Sequence, residues 1–482
     1  MNSLFLEAES FSQRGGWVVD PAAMGEMGSA YLMAHGAGVP VADAETTIEI
    51  PEAGEYHIWA RTRDWTAVWK RGTPAGRFTI RISGYELPQV LGTNGEKWAW
   101  QKAGSLRLSA GEHTVALHDL TGFNGRCDAL YFSTDPMDVP PDGGRALEEF
   151  RKEKCAIVPV DDPGNYDLIV AGGGMAGSVT ALAAARLGLH VLLLQDRAVL
   201  GGCNSSEIRV PLGGCTHVGL YPNLGNTVRE IAPIYLTPGA KEGEWYEDVR
   251  KENAFRTDCA GKAELRLRER VVAIETDPED PALIRAVIAR NTVTGKETRF
   301  RGKLFSDCSG DGTVAHLAGA RYLYGSEGKE VFNESLGAEE TSNEVMGLSL
   351  LWTSTEEDHP VPFPDVDWGI RLSEETCYPV TAGDWENESG QYRNQAEEVE
   401  YIRDYSLMTT FVNWSFLKNH FSRKAEWAKR KISWVSPCGG KRESRRFLGD
   451  YVMTQNDIEK EIPVDDGTAS ISWSIDLHYP EL

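Results

Sequence analysis

The strongest constraint on the fold is a glycine-rich turn between a short apolar run and a helical pattern. The apolar run is Tyr166 to Ala171, and it leads directly into Gly172-Gly173-Gly174-Met175-Ala176-Gly177. Small apolar residues at helical spacing follow, and a second apolar run, His190 to Leu194, closes the unit. A strand, a glycine turn, a helix and a strand within about 30 residues are typical of a dinucleotide-binding βαβ unit. The sequence therefore predicts an α/β Rossmann-like domain with a parallel sheet here.

Each glycine of this turn has a separate predicted role. Gly172 permits the tight turn, Gly174 lets the backbone approach a pyrophosphate, and Gly177 allows helix and strand to pack closely. The phosphates would lie at the positive N-terminus of the helix. The residue that binds the adenosine ribose is expected at the end of the second strand. Either Gln195 or Asp196 can accept a hydrogen bond there, and the sequence leaves both open.

Two further glycine turns follow along the chain. Gly201-Gly202 comes directly after the second strand and precedes Cys203-Asn204-Ser205. Later, the strand pattern from Lys303 to Cys308 enters Ser309-Gly310-Asp311-Gly312 and another helical segment. Between these turns, Ala263 to Ile274 is predicted to be one strand that runs beside an adenine. The second strand–turn–helix unit is expected to return the chain to the same dinucleotide.

With these motifs the sequence resembles the FAD-dependent oxidoreductase family, glutathione-reductase-like flavoproteins with two dinucleotide-binding domains. The resemblance extends over about residues 160–482 and includes Gly439 to Arg446 and Gly449 to Val452. It implies FAD as the cofactor, and a segment over residues 335–435 that covers the substrate. The residues that it implies for FAD binding are Gly172, Gly174, Ala176, Gly177, Gln195, Asp196, Arg197, Gly201, Gly202, Asn204, Ser205, Val272 (near the adenine), Gly310 and Asp311.

Candidate catalytic residues come from a basic cluster and from two histidines. The basic cluster consists of Lys441, Arg442, Arg445 and Arg446. As a positive patch it would stabilise reduced flavin or an acidic substrate, with Arg445 as the catalytic candidate. Alternatively, Glu443 and Asp450 pair with the cluster at the start of a helix. His217 and His478 are the candidate bases, because a neutral imidazole can accept a hydroxyl proton.

The cysteines and tryptophans of this half are interpreted mainly as packing residues. The eight cysteines include no C-x-x-C pair, so no metal or iron–sulfur site is expected. Cys203 lies near the expected flavin without a partner cysteine, and we interpret it as packing. The core is favoured over a pocket wall for Trp352, Trp368, Trp385 and Trp414. A core-facing helix is predicted from apolar side chains at helical spacing, namely Val399, Ile402, Tyr405, Met408 and Val412.

Residues 1 to about 145 have a different character. Short alternating runs between glycine and proline turns predict an all-β sandwich, and a boundary follows at Pro140-Pro141. The segment resembles carbohydrate-binding β-sandwiches of bacterial polysaccharide-processing proteins. Its loop tryptophans can stack on sugar rings or pack in the core, and both are equally favoured for Trp65, Trp69, Trp98 and Trp100. We therefore expect a sandwich at 1–145, an FAD-binding domain at 160–334, and a mixed α+β cap at 335–482.

The charge balance and the chain ends give expectations about partners and location. The 72 acidic and 49 basic residues give a net charge of −23, which disfavours nucleic acid or an anionic membrane as partner. No apolar run is long enough to span a bilayer. Scattered thiols favour a cytoplasmic protein, or a secreted or periplasmic one if a leader has been removed. Family members usually extend beyond Leu482, so we expect a missing segment or a partner chain to complete the flavin site.

Two functions from different classes follow from these patterns. The first is an FAD-dependent oxidoreductase that transfers a hydride between flavin and a small molecule, a saccharide or polyol if the sandwich indicates the substrate. The second is a non-catalytic carbohydrate-binding protein with a vestigial or incomplete flavin domain. The presence of flavin absorbance would distinguish the two.

Overall fold

The computed structural model describes residues 2–69, 72–214, 222–223, 225–234, 241–258, 261–384, 388–462 and 464. The N-terminal part is built mainly from strands, as predicted. Its elements are β1 (Ser3–Glu7), β2 (Trp17–Asp20), α1 (Met24–Met27), β3 (Tyr31–Ala34), β4 (Ala44–Ile50), β5 (Gly54–Thr62), β6 (Phe78–Ile82), β7 (Tyr85–Glu86), β8 (Ala99–Leu108), β9 (Gly111–Asp119), β10 (Arg126–Cys127), β11 (Ala129–Ser133) and α2 (Gly144–Lys154).

These strands form antiparallel sheets with the orders β1-β11-β5-β8, β4-β9-β6-β7 and β10-β3-β2. Alternate residues of each strand point to one face, and apolar side chains such as Ile58, Ile80, Leu117 and Phe132 form a common core. The predicted all-β character of this part is confirmed.

Helix α2 packs back onto the sandwich. Leu147 joins a buried aromatic cluster around Tyr131. Arg151, which is also buried, forms an ion pair with Asp128. The chain therefore remains on the sandwich to the end of α2, well beyond the Pro140-Pro141 stretch.

The middle of the chain forms a mixed sheet. Its elements are β12 (Val160–Asp161), β13 (Tyr166–Ala171), α3 (Met175–Arg186), β14 (Val191–Gln195), α4 (Asn226–Ile231), α5 (Asp248–Asp258), β15 (Ala263–Leu267), β16 (Glu269–Thr276), β17 (Ile284–Asn291), β18 (Glu297–Asp307) and α6 (Thr313–Leu317). The order is β15-β14-β13-β18-β17-β16, with β12 paired to β18. Strands β15, β14, β13 and β18 are parallel, as predicted, whereas β17 is antiparallel to both of its neighbours.

The prediction of one strand from Ala263 to Ile274 is wrong. The chain breaks at Arg268, which has a φ of 65° in the left-handed region. Its amide donates to the carbonyl of Arg197, and its carbonyl accepts from the amide of Thr292. This turn separates β15, in the parallel part of the sheet, from β16, which pairs with β17.

The C-terminal part consists of one long helix with short strands and helices around it. Its elements are β19 (Tyr322–Leu323), α7 (Lys329–Phe332), β20 (Leu348–Ser349), β21 (Trp352–Glu356), β22 (Ala382–Gly383), β23 (Glu388–Ser389), α8 (Val399–Asn419), α9 (Lys424–Trp427), β24 (Arg430–Val435), β25 (Arg446–Phe447) and α10 (Gln455–Glu459). The apolar stripe of α8 is confirmed, because Ile402, Met408 and Val412 are buried. Among the described residues, no helix is both long and apolar enough to cross a membrane.

Helix α8 also packs against the sandwich through buried charges. The Arg126 guanidinium, on β10, donates to Glu400 at 2.8 Å and to Asp404 at 2.9 Å. Although burial alone would raise the pKa of Asp404, Arg126 and Arg403 hold it below its ordinary value. Removing one member of such a buried set leaves the others uncompensated, so this contact fixes how the two parts dock.

The sugar-stacking interpretation of the loop tryptophans is wrong for Trp65, Trp98 and Trp100, all of which are buried. Trp65 packs edge-on against Trp368 from the C-terminal part. Trp69 is half-buried, and its ring lies against that of Tyr401 on α8. Trp98 also meets α8, because its Nε1 donates to Glu400 at 3.5 Å. Trp100, on β8, instead packs within the sandwich against Phe5 and Tyr131. The core interpretation is confirmed for Trp352, Trp368 and Trp414, whereas Trp385 lies outside the described residues.

Candidate functional site

The first glycine turn leaves no room for a side chain at two of its glycines and leaves room at a third. Gly172 has a φ of 98°, and a Cβ there would lie 2.3 Å from the carbonyl oxygen of Cys308. At Gly177, a Cβ would lie 1.9 Å from the carbonyl oxygen of Gly172, so α3 can approach only without a side chain. A Cβ at Gly174 would meet no atom within 4 Å. Gly174 is the N-cap of α3 and opens into a cavity.

The second glycine turn lies directly against the first. The amide of Gly201 donates to the carbonyl of Gly173 at 2.8 Å. A Cβ at Gly202 would lie 3.2 Å from the Cα of Gly174, so the two turns are in close contact. The pair therefore forms one backbone surface at the N-terminus of α3.

Asn204 follows the second turn and presents an unsatisfied acceptor. Its Nδ2 donates to the carbonyl of Val210 at 2.9 Å and to that of Trp245 at 2.8 Å. Its Oδ1 is buried and accepts no hydrogen bond within the described part of the chain. Because Asn204 lines the cavity, a ligand donor can satisfy this atom.

The third turn, Ser309–Gly312, is shaped by Asp307. The Asp307 carboxylate accepts from the amide of Ser309 at 3.1 Å and from that of Ala315 at 2.8 Å. It therefore holds the turn and the first turn of α6 together. A Cβ at Gly310 would meet no atom within 4 Å, and Gly310 lines the same cavity.

The structure distinguishes the two candidates for the ribose. The Oε1 of Gln195 accepts from the amide of Gly173 at 2.8 Å, and its Nε2 donates to the carbonyl of Val199 at 3.0 Å. Gln195 thus holds the glycine turn with both ends of its amide. Asp196 lines the cavity, and its carboxylate lies 3.6 Å from Arg270. Asp196 is therefore the better placed of the two to meet a ligand.

A second carboxylate, which the sequence did not indicate, lies in this wall. The Oε1 of Glu269 accepts from Asn291 at 3.0 Å. Its Oε2 is buried and has no partner among the described residues. Burial raises the pKa of Glu269, against a lowering by Asn291. No sequence pattern marks this residue, because its position depends on the break of the strand at Arg268.

Most of the residues expected to bind FAD line one cavity of about 500 Å³. They are Gly172, Gly174, Gln195, Asp196, Arg197, Gly201, Gly202, Asn204, Gly310 and Asp311. Four others lie next to it. Ala176 is exposed in the first turn of α3, Gly177 packs against Gly172, Ser205 is buried beside Asn204, and Val272 follows the lining residue Val271.

The sandwich also contributes to this cavity. Pro21 and Ala22, directly after β2, are part of its wall. The carbonyl of Pro21 accepts from Arg270 at 2.9 Å. Arg403 of α8, another wall residue, forms an ion pair with Asp20. The wall is therefore assembled from the sandwich, the mixed sheet and α8.

The basic cluster is ion-paired with distant segments. The predicted helix start is wrong, because the chain enters strand β25. Of the two expected local partners, Glu443 lies 3.7 Å from Arg446, whereas Asp450 forms no ion pair with the cluster among the described residues. The other partners come from distant elements. The pairs are Lys441 with Asp311, Arg442 with Glu388, Arg445 with Glu397 and Arg446 with Glu327. Lys441 and Arg442 line the cavity, whereas Arg445 lies behind it and donates to the carbonyl of Asp311 at 3.2 Å.

Two histidines and one cysteine remain to be placed. His217 and His478 lie outside the described residues. Cys203 lines the cavity, and burial raises the pKa of its thiol. The described residues include no group of His, Cys, Asp and Glu side chains that could hold a metal ion.

The geometry fits a dinucleotide. Open space at Gly174 faces the first amides of α3, which suits a pyrophosphate. The buried acceptors Asn204 Oδ1 and Glu269 Oε2 require donors, and the hydroxyl and N–H groups of a nucleotide are such donors.

Comparisons with known proteins point to one family. The model of the family described as FAD dependent oxidoreductase matches residues 167–481, which is more than half of the chain. A soluble pyridine nucleotide transhydrogenase of Pseudomonas putida (strain GB-1) is 32% identical over 116 residues, covering 22% of this chain and 23% of that protein. The chain thus spans about a quarter of the length of the curated relatives that it matches.

Solved structures resemble separate parts of the chain. The myxobacterial chondrochloren halogenase CndH, a variant of FAD-dependent halogenases, is 21% identical over 42% of this chain and 46% of its own, with a TM-score of 0.26. The C-terminal CBM6 of LamC, a marine laminarinase from Zobellia galactanivorans, is 19% identical over 27% of this chain and 99% of its own, with a TM-score of 0.22.

Proposed function

The chain belongs to the FAD-dependent oxidoreductase family, and on this premise we propose that the 500 Å³ cavity holds FAD. The observation that carries the proposal is the meeting of three glycine turns at one cavity, with Gly174 and Gly310 open towards it. Such turns let backbone amides approach a phosphate without interference from a side chain.

We assign the ends of the cavity from the chemistry of their side chains. Asp196 and Glu269 offer carboxylate oxygens to the adenosine ribose, and the backbone from Val271 to Val272 meets the adenine. The amides around Gly174 and Gly202 bind the pyrophosphate. We place the flavin ring towards Cys203, Val210 and Lys441, which also line the cavity.

Bound FAD supplies hydride chemistry towards a small-molecule substrate. The protein contributes charge at this end, because Lys441 and Arg442 carry positive charges on the cavity wall. Their carboxylate partners, Asp311 and Glu388, hold the side chains in place, so these N–H donors are already oriented before a ligand binds. A negative charge that develops on the ring or on the substrate would be stabilised there.

The substrate class is proposed separately. A saccharide or polyol is the first class to test, on the resemblance of the sandwich alone. Buried Trp65, Trp98 and Trp100 give it no support, because these rings are not available for stacking on a sugar. Nicotinamide dinucleotides are the second class, in line with the name of the transhydrogenase relatives.

The test begins with the purified chain and its absorbance spectrum. Flavin bands in a stoichiometric amount would support the proposed cofactor, and a colourless protein that takes up no added FAD would contradict it. A flavin-loaded sample is then mixed anaerobically with sugars, polyols, NADH and NADPH in turn. Bleaching by one class identifies the reductant, and bleaching by NADH alone would reject a sugar as the electron donor.

A further inference from the structure

A second, larger cavity lies between the sandwich and the rest of the chain. Its volume is about 930 Å³, within the range of ligand pockets. Residues after β14, the strand β24 and the loop at 357–363 form one side, and β2 with its flanking loops forms the other. Asp196 and Arg197 are common to both cavities, so this one adjoins the proposed adenosine end of the FAD site.

Two arginines on the wall of this second cavity lack a carboxylate partner. Within the described residues, neither Arg14 nor Arg268 forms an ion pair, and the Nε of Arg14 is buried without an acceptor. Burial lowers the pKa of Arg14, the nearby positive charge of Arg268 lowers it further, and the negative charge of Glu9 opposes both. Two unpaired guanidinium groups beside each other are unfavourable, and this cost is relieved when an anion binds between them.

The carboxylates on the same wall are already engaged. Glu207 forms an ion pair with Arg197, and Asp196 faces Arg270 at 3.6 Å. Glu357 lies 4.0 Å from Lys431. The acidic groups of the cavity wall therefore have basic partners of their own, and none of them forms an ion pair with Arg14 or Arg268.

Aromatic side chains and one further donor complete the wall. The Nε1 of Trp17 is buried and donates to no acceptor in the described part of the chain. The aromatic residues Phe363 and Trp434 also line the cavity. The Arg209 guanidinium lies 4.0 Å above the Trp434 ring and supports that side chain. The wall thus combines flat apolar surface with donors, and this combination suits a ring that carries an oxyanion.

We propose that this cavity binds a small cyclic carboxylate, with the charged group between Arg14 and Arg268 and an acceptor atom on Trp17 Nε1. The ring would lie against Phe363 and Trp434. The site is separate from the proposed flavin ring position, because it adjoins the adenosine end of the other cavity. It is therefore a ligand site in addition to the proposed redox site.

The experiment titrates three probes into the full chain by calorimetry or ligand-observed NMR. Benzoate has a ring and a charge, acetate has the charge alone, and benzyl alcohol has the ring alone. Saturable binding is expected for benzoate at millimolar concentration, with acetate at least about tenfold weaker and benzyl alcohol not saturating. Absence of saturable benzoate binding, or equal binding of all three probes, would overturn the proposal.

Variants locate the site. Arg14→Gln and Arg268→Gln are each expected to weaken benzoate at least about tenfold, with a melting temperature equal to or above that of the natural chain. Arg107→Gln is the matched control, because it removes the same charge from an exposed position on β8 outside the cavity. Equal affinity for benzoate in all three variants would show that the anion binds elsewhere. A normal flavin spectrum of the Arg14→Gln protein would show that its weaker benzoate binding does not come from a change at the proposed FAD site.

Discussion

The open position at Gly174 allows cofactor binding to be separated from folding. We consider the same methyl group added at two glycines of one turn, Gly174→Ala and Gly177→Ala, together with the larger Gly174→Val. At Gly174 the backbone φ of −62° is allowed for any residue, and a Cβ would meet no atom within 4 Å. At Gly177 the Cβ would lie 1.9 Å from a backbone oxygen, which no rotation of a side chain can relieve.

The expected magnitudes differ in kind. Gly177→Ala should lower the free energy of unfolding by about 1–3 kcal/mol or more, the usual cost of overpacking. Gly174→Val should change it by about 1 kcal/mol at most, through the altered N-cap. In the proposed complex, the valine side chain of Gly174→Val would occupy the space that the pyrophosphate needs. Loss of two hydrogen bonds from backbone amides to the phosphates, each worth about 1.5–3 kcal/mol, would weaken the affinity for FAD by two to four orders of magnitude.

The assay measures both quantities on each variant. Unfolding in denaturant, with the flavin removed, gives the stability of the chain, and calorimetric titration with FAD gives the affinity. We expect Gly174→Val to be stable and colourless, Gly174→Ala to be intermediate in affinity, and Gly177→Ala to be unstable. Purification of Gly174→Val with stoichiometric FAD would refute the assignment of this turn. A Gly177→Ala protein as stable as the natural chain would refute the close approach.

Three further outcomes are expected. Glu269→Gln should weaken the affinities for FAD and for ADP by the same factor, about tenfold, because the proposed contact lies in the adenosine half of the cofactor. Calorimetry that shows weaker binding of FAD alone would contradict this. Asp404→Asn should lower the free energy of unfolding by about 3–5 kcal/mol, since Arg126 loses a buried partner, whereas Glu149→Gln in an exposed pair should cost under about 1 kcal/mol. Burial raises the pKa of Glu7 to about 7, so the folded chain holds an extra proton and stability should fall as pH rises from about 4.5 to about 7. The melting temperature of Glu7→Gln should fall less over that interval, and an identical pH profile would reject a role for this carboxyl.

The glycine turns could be predicted because their requirements are local. Gly172 needs a left-handed φ, and Gly177 needs a close helix contact, and both follow from a strand that turns directly into a helix. The strands on either side are short apolar runs whose length and composition suit a buried parallel sheet. The order of these turns, together with the segments Gly439 to Arg446 and Gly449 to Val452, carried the family resemblance, and residues 167–481 match the family.

The residues that we propose for the ribose could not be predicted in the same way. Glu269 reaches the cavity because the chain breaks at Arg268 in a left-handed conformation that arginine rarely adopts. Gln195 occupies the expected position, but its amide is used to hold Gly173 and Val199. In both cases the deciding contact comes from a neighbouring turn, which the periodicity of a single strand does not report.

Tryptophan in a loop was ambiguous for a related reason. Trp65 is apolar and lies in a turn, and from the sequence a ligand surface and packing in the core are equally favoured. Its partner Trp368 is far away in the chain and in a segment without regular pattern, so no local signal indicates that the ring is covered. Arg126, in the same interface, likewise forms an ion pair with Asp404. Asp404 lies on α8, whose sequence pattern indicates only an apolar stripe.

These contacts change what the N-terminal sandwich does for the molecule. A binding module that is merely attached keeps its own core and touches its neighbour through a small polar surface. Here the loop after β2 forms part of the proposed FAD cavity through Pro21, and the adjacent Asp20 forms an ion pair with Arg403, another residue of that wall. FAD in this cavity would therefore contact both parts of the chain at once. Binding of the cofactor and docking of the sandwich should stabilise each other by the same free energy, since each orders the wall that the other needs.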